Sequence, residues 1–277
     1  MTQIAHLSDF HLLDEAHEQR SRRERLRLSY LSFGRPKSPL ERRKRALSAL
    51  IEARRSGAHH LVLTGDLTEE GLPAQFELLA EVLHESGWSP SRVTLVPGNH
   101  DAYAGPEAWQ QALDGPLLAF RATSVLDAPL HLHGTVLLPL STATHQPYTR
   151  SAGSIEGAAF AALQRAAKDS HFARSPLLLA MHHPPRRHLL PPMQWIDGLR
   201  EHAAMGALLA EHDHLHVLHG HTHVAKDHAV RPGAAPRIFS TEAVVESASP
   251  LRVYLVRHGR LWPQRWVDGG VMALAPA

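Results

Sequence analysis

Residues 92–101 read Arg92-Val93-Thr94-Leu95-Val96-Pro97-Gly98-Asn99-His100-Asp101. A short apolar run, rich in β-branched residues, breaks at Pro-Gly into an amide, an imidazole and a carboxylate. The run predicts a strand, Arg92–Val96, and Pro97-Gly98 predicts its end. The same pattern recurs on both sides. Gln3–Leu7 leads into Asp9 and His11, and His60–Thr64 leads into Gly65-Asp66. Leu177–Met181 leads into His182-His183-Pro184, and His216–His219 into Gly220-His221-Thr222-His223. Further β-rich runs lie at Thr135–Leu140, Arg237–Ser240 and Arg252–Val256.

Helix-like segments lie between several of these runs, at Glu41–Arg55, Ala74–Glu85, Ala158–Ala167 and Ile196–Glu211. Strands alternating with helices imply an α/β layered fold. The second half carries more consecutive strands, which predicts a mixed sheet or two packed sheets. No linker rich in Gly, Ser or Pro divides the chain, so residues 1–277 are expected to form one domain. Each polar cluster follows a strand. In open α/β sheets ligands bind outside the carboxyl ends of the strands, so residues far apart in sequence are expected to meet on one rim.

The chemical types on that rim agree with one another. Imidazoles, carboxylates and one amide oxygen suit manganese, iron, zinc or cobalt. Asp9-x-His11 and His221-x-His223 let two side chains on an extended segment point the same way. Gly65, Gly98 and Gly220 fit a backbone that turns sharply beside a crowded site. Each motif alone is common in turns. Five together, all at strand ends, are not expected of turns alone.

Composition sets the outer bounds. The chain has 277 residues, 43% hydrophobic, with a formal net charge of +2 and no cysteine. Disulfides and thiolate metal sites are thereby excluded. So small a net charge does not favour duplex nucleic acid. The amino terminus shows no basic stretch followed by a long apolar one, and a cytoplasmic location is expected. The 23 histidines nearly match the 27 carboxylates. Most of them, His60 and His216 included, are put down to composition.

The order Asp9-x-His11, Gly65-Asp66, Gly98-Asn99-His100-Asp101, His182 and Gly220-His221-x-His223 resembles the calcineurin-like metallophosphoesterase superfamily. The resemblance implies a four-layer fold, two mixed β-sheets sandwiched and flanked by helices. It implies a cofactor of two metal ions. Asp9, His11, Asp66 and His223 match ligands of the first. Asp66 bridges to the second, whose other ligands match Asn99, His182 and His221. His183, next to His182, is the ambiguous neighbour. A metal-bridging hydroxide is the implied nucleophile, and His100 matches the histidine that contacts the substrate phosphate. In some members a carboxylate three residues after the bridging aspartate orients that histidine, and here the position is Glu69. Asp101 and Tyr103 belong to the surroundings of the site, and Tyr103 is placed to stack on a base or sugar. Arg186, just after the His182 motif, is placed to hold a second phosphate.

The substrate stays open between two classes of phosphorylated molecule. One is a phosphodiester such as a cyclic nucleotide, because the compact chain resembles class III cyclic nucleotide phosphodiesterases. The other is the pyrophosphate of a nucleotide-linked lipid such as UDP-diacylglucosamine. A metal-binding module without catalysis is the alternative of another kind. Asp66-Leu67-Thr68-Glu69 lacks the Asp-Arg-Gly continuation of the protein phosphatases. The compositional outlier is an insertion at about 14–40, between the first strand and the first long helix. Its basic residues, interleaved with Leu26, Leu28, Tyr30, Leu31 and Phe33, suit an anionic membrane face touched through 20–37, a cover for the acyl chain of a lipid substrate, or a plain cap. The Val253–Trp266 region is read as strands that pair across a homodimer.

Overall fold

In the computed structural model, which describes residues 2–170, 172, 175–267 and 270–273, the apolar runs are strands. In chain order these are β1 (Thr2–Leu7), β2 (His60–Thr64), β3 (Val93–Val96), β4 (Leu130–Leu132), β5 (Thr135–Pro139) and β6 (Leu177–Ala180). They continue as β7 (Leu215–His219), β8 (Lys226–Ala229), β9 (Pro236–Ser240), β10 (Arg252–Arg257), β11 (Arg260–Val267) and β12 (Gly270–Ala273). The helices are α1 (Arg22–Leu31), α2 (Pro39–Arg55), α3 (Pro73–Glu85), α4 (Ala108–Asp114), α5 (Gly157–Lys168), α6 (Pro191–Asp197) and α7 (His202–Glu211).

The strands form two six-stranded sheets, ordered β12-β11-β10-β1-β2-β3 and β4-β5-β6-β7-β9-β8. In the first, β1, β2 and β3 are parallel, and β10 joins β1 antiparallel. In the second, β5, β6, β7 and β9 are parallel, with β4 and β8 antiparallel at the edges. Both sheets are therefore mixed.

Alternation along each strand then decides the layers, because neighbouring side chains point to opposite faces. Leu61 and Leu63 of β2 pack outward with Leu50 of α2 and Phe76, Leu79 and Leu83 of α3. Val62, between them, packs inward with Ile4, Leu178, Leu218 and Phe239 where the sheets meet. Leu177 and Leu179 of β6 face Leu163 of α5 and Leu209 of α7. The result is helix, sheet, sheet, helix. With apolar contact on both faces the strands read as short continuous apolar runs.

Histidines sit in the layer between the sheets. His6 Nε2 lies 2.8 Å from Thr64 Oγ1, and His60 Nε2 lies 2.8 Å from Thr94 Oγ1. Burial holds His60 and His216 down at about 4, so they are neutral at pH 7. These imidazoles fill core positions with one hydrogen bond each, a role that composition does not reveal.

Two expectations need correction. Ile196–Glu211 is not one helix. The chain leaves α6 at Asp197 and re-enters helix at His202. Gln194 Nε2 donates to the Leu199 carbonyl at 2.7 Å and folds the chain back, and any Cβ on Gly198 would collide with that amide. The strands of Val253–Trp266 are also not free to pair across a dimer edge. β10 lies between β1 and β11, and β11 lies between β10 and β12.

The basic insertion is ordered around α1. Ser21 caps it in a reciprocal box with Glu24, and Leu28 and Leu31 are its buried side. Several of its arginines turn inward. Arg20 and Arg27 both bond Glu70, Arg27 at 2.8 Å. Arg42, on α2, is 0% exposed and donates to Glu69 at 2.6 Å and to the His11 carbonyl at 2.7 Å. Facing outward are Leu26, Tyr30 and Phe33, at 65%, 56% and 89% exposure, among the exposed Arg22, Arg23, Arg25 and Lys37. Among the described residues no helix is long and apolar enough to cross a membrane.

Candidate metal centre

The carboxyl ends of β1, β2, β3, β6 and β7 deliver their polar residues to one place. Asp66 is the hub. Its Oδ1 accepts the His100 backbone N–H at 2.8 Å, which turns Oδ2 toward three imidazoles. His182 Nε2 stands 3.3 Å from Oδ2, His11 Nε2 3.8 Å and His100 Nε2 3.9 Å. Asp9 is a second hub. Its carboxylate accepts the His221 backbone N–H at 3.1 Å, and Oδ1 lies 3.3 Å from His223 Nε2 and 4.0 Å from His11 Nε2.

The chain reaches these positions through backbone that side chains rarely adopt. Asp9, His11, Asp66, His221 and His223 have φ of 58°, 48°, 50°, 69° and 54°. This is the left-handed region, which costs a residue with a Cβ about 1 kcal/mol or more. Two of the three glycines serve for room rather than for a sharp turn. Only Gly65 among the three has a left-handed φ. Gly98 and Gly220 are needed for room, because a Cβ would strike the Asp66 carboxylate at the first and Ser8 and Asp9 at the second.

Each imidazole is fixed by the partner on its other nitrogen, which decides which nitrogen faces inward. His182 Nδ1 donates to the Thr64 carbonyl at 2.7 Å, and His100 Nδ1 donates to the Glu69 carbonyl at 2.7 Å. His221 Nε2 is held by Asp197 Oδ1 at 2.9 Å, which turns Nδ1 toward His182 Nε2 at 3.3 Å. His223 Nδ1 is held by Glu246 Oε1 at 3.1 Å. His11 Nδ1 lies against Arg35 and 3.4 Å from Glu69 Oε2. Asn99 Nδ2 donates to the Tyr103 hydroxyl at 3.1 Å, leaving Oδ1 to point the other way.

His183 is set apart from its neighbour by its bonds. Its Nδ1 meets Thr142 Oγ1 at 2.8 Å and its Nε2 the Ser151 carbonyl at 2.8 Å. Both nitrogens are engaged, so an ion would have to displace one of these bonds to use His183, although the imidazole lies within reach of His182 and His221. Asp101 accepts from Leu67 N, Thr68 N, Thr68 Oγ1 and Gly98 N at 2.7–3.1 Å. It clamps the Asp66 turn to the Asn99 turn and takes no direct part in the cluster.

Glu69 and Tyr103 border the cluster, and Arg186 stands away from it. The Glu69 carboxylate does not orient His100. It is drawn away by Arg42 and Ser32, and the main-chain oxygen of Glu69 does the orienting. Tyr103 is tied by its hydroxyl to Asn99 and to the Arg150 carbonyl, 3.3 Å away, with its ring against His100 at 4.9 Å. Arg186 is exposed and bonds His228, and none of its bonds reaches the cluster. The partners Asp197, Glu246 and Arg35 carry no motif. Asp197 in particular lay hidden in a stretch that read as unbroken helix.

The donor set fits cations on two grounds. First, His11 Nε2, which faces the Asp9 and Asp66 carboxylates, and Asn99 Oδ1 are buried and have no hydrogen-bond partner. Buried polar atoms are rarely left so. Second, the cluster attracts positive charge. Burial alone would lower the pKa of His182 and His223, yet Asp66 raises the first to about 9, and Asp9 with Glu246 raises the second to about 10. Asp66 and Asp9 are held well below the usual carboxylate range by the same imidazoles, against the effect of burial. Ligating atoms of Asp9, His11 and His223, and of Asp9, Asp66 and His182, converge closely enough to share an ion.

A model of the calcineurin-like phosphoesterase family matches residues 2–225. A probable cyclic nucleotide phosphodiesterase from Synechococcus sp. is 31% identical over 167 residues, 60% of this chain. The match spans 58% of the length of that relative. Among solved structures, a dimetal phosphatase from Danio rerio aligns over 95% of both chains with a TM-score of 0.69 at 13% identity. A protein from Thermus thermophilus aligns over 95% of this chain and 97% of its own, with a TM-score of 0.54 at 15% identity. At such identities these two structures speak for the fold.

Proposed function

Because the chain belongs to the calcineurin-like phosphoesterase family, whose members are dimetal-dependent hydrolases, we propose that it cleaves a phosphodiester and that its substrate is a cyclic nucleotide. The observation that carries the proposal is Asp66 Oδ2 among three imidazoles, one of which, His11, has an unpartnered Nε2. Asp9, His11, Asp66 and His223 would hold one ion; Asp66, Asn99, His182 and His221 the other. Bound there, two cations lower the pKa of water and withdraw charge from phosphoryl oxygens.

The chain's own residues supply the rest. His100 is fixed with Nδ1–H on the Glu69 carbonyl, so only Nε2 is free to exchange a proton. Burial keeps its pKa low before substrate arrives. A phosphate anion beside Nε2 reverses that preference, and the proton gained there can pass to the leaving oxygen. Neutral Asn99 adds an oxygen without adding negative charge, which favours an anionic substrate. The cyclic-nucleotide assignment draws support from the Synechococcus relative.

A second reading, hydrolysis of a nucleotide-linked lipid at its pyrophosphate, is favoured by one observation. Leu26, Tyr30 and Phe33 project from α1 and the turn after it, among exposed arginines. That surface suits an anionic membrane.

The test is hydrolysis by manganese-loaded protein of bis(p-nitrophenyl) phosphate, p-nitrophenyl phosphate, cyclic AMP and UDP-diacylglucosamine, with Asp66→Ala as the blank. Turnover of the diester dye with cyclic AMP well ahead of the lipid is expected. The lipid ahead selects the second reading, and equal turnover by Asp66→Ala would sink the two-ion site.

A further inference from the structure

Beside the cluster lies a cleft of about 640 Å³, within the range of small-molecule sites. The insertion provides one wall with Arg27 and Leu31, and the loop after β5 provides another with Tyr148. Leu72 and Glu70 line it as well, and Tyr103 forms the wall toward the metal centre. Through Tyr103 the cleft and the reacting end share a boundary, since its ring abuts His100 and its hydroxyl holds Asn99. A phosphate held at His100 would direct an ester substituent past Tyr103 into this space.

The lining says what that substituent is. The Arg27 guanidinium is already bonded to Glu70, which Arg20 also engages. Arg27 is the one guanidinium among the described residues of the wall, and the carboxylates of Glu24 and Glu70 beside it disfavour a second phosphate. What the wall offers besides is two phenol rings, Tyr103 and Tyr148, with Leu31 and Leu72, and the imidazole of His145 and the amide of Gln146. The Tyr148 ring is itself propped by Tyr30 of α1, edge to face at 5.9 Å. Aromatic rings beside aliphatic side chains suit a flat, uncharged heteroaromatic group.

On these grounds, and resting on the phosphodiester reading above, we infer that the cleft between α1 and the Tyr148 loop is a nucleobase site, with Tyr148 as its specificity-determining residue. The insertion is then one wall of the substrate site, and Tyr30 acts through Tyr148 as a positioning residue.

The test uses the full metal-loaded chain as wild type, Tyr148→Ala and Tyr148→Phe. The quantity read is kcat/KM for cyclic AMP divided by kcat/KM for 1-deoxyribose 3,5-cyclic phosphate, the same cyclic diester without a base. Loss of one stacking ring is expected to lower this ratio about tenfold or more in Tyr148→Ala, mainly through KM for cyclic AMP. Tyr148→Phe, which keeps the ring, should restore it. An unchanged ratio, or an equal fall in both variants, overturns the inference. If the wild type hydrolyses the dye and not cyclic AMP, the substrate proposal has failed by itself, and the cleft is then judged by competition. AMP should inhibit dye hydrolysis at least tenfold more tightly than ribose 5-phosphate, and Tyr148→Ala should abolish the difference. AMP no better than ribose 5-phosphate, or a difference that survives in Tyr148→Ala, overturns the nucleobase site.

Discussion

Asp197 Oδ1 lies 2.9 Å from His221 Nε2, and this contact determines which nitrogen of His221 looks toward His182. Asp197 stays ionised against burial because His221 and Ser151 hold its charge. Asp197→Asn keeps the shape and removes the charge. Loss of such an outer partner commonly weakens metal binding about 10–100-fold. The expected outcome is one ion lost at limiting manganese, counted by elemental analysis after gel filtration, with the other retained. Two ions retained at wild-type affinity would remove Asp197 from the centre.

Metal uptake should release protons. His182 and His223, raised to about 9 and about 10, each carry an extra proton at pH 7 in the metal-free chain. Each ion displaces one of these protons, so apparent affinity climbs with pH until about those values. Calorimetry in buffers of different ionisation enthalpy should detect about two protons, or more if bound water ionises too. Release of none would contradict the proposed ligands.

The same two groups fix a stability window. Their folded pKa values exceed the unfolded value of 6.5, so their contribution is complete below pH 6.5 and fades as pH rises through 9 to 10. Urea unfolding of metal-free protein should show stability falling on the order of a few kcal/mol across that span. Added manganese should flatten the slope. A metal-free chain whose stability stays level from pH 6.5 to 10 would show that the two imidazoles are not charged.

Glu69→Ala should cost stability before it costs chemistry. Glu69 is fully buried, with Arg42 at 2.6 Å and Arg35 at 3.5 Å, and removing it strands a guanidinium that is 0% exposed. Breaking a buried pair from one side typically costs about 3–5 kcal/mol. The midpoint of thermal unfolding should drop by roughly 10 °C for a chain of this size. A midpoint within a degree or two of wild type would mean that the pair relaxes into solvent.

The exposed residues of the insertion have their own test. Vesicles with an anionic phospholipid should retain the wild-type chain in sedimentation at low salt. Leu26→Ser with Phe33→Ser should reduce binding about tenfold or more, since each buried apolar side chain is worth about 1.5–3 kcal/mol. No binding by the wild type would make α1 a cap and wall only.

Much of this molecule is legible along the chain because strand and ligand coincide. Each run such as His60–Thr64 is buried on both faces, so it stands out as apolar, and the turn behind it carries Asp66. The segments that escaped notice are those without that contrast. β8 (Lys-Asp-His-Ala) is an exposed edge strand, and β4 is three residues long. Asp197 and Glu246 escaped because a carboxylate that steadies an imidazole needs proximity and no fixed spacing. Arg42 looked like one more surface charge in a basic stretch, and only the fold shows it beneath the first ligand turn.

The five left-handed ligand residues carry one more implication. Glycine at Asp9, His11, Asp66, His221 or His223 would relieve a backbone penalty at each site and remove the donor that the penalty positions. A search of these turns for thermostable variants would therefore select inactive ones first. Robustness has to come from elsewhere, such as the packing between the sheets, and a hardened enzyme should carry its improvements there while the strand-end turns stay untouched.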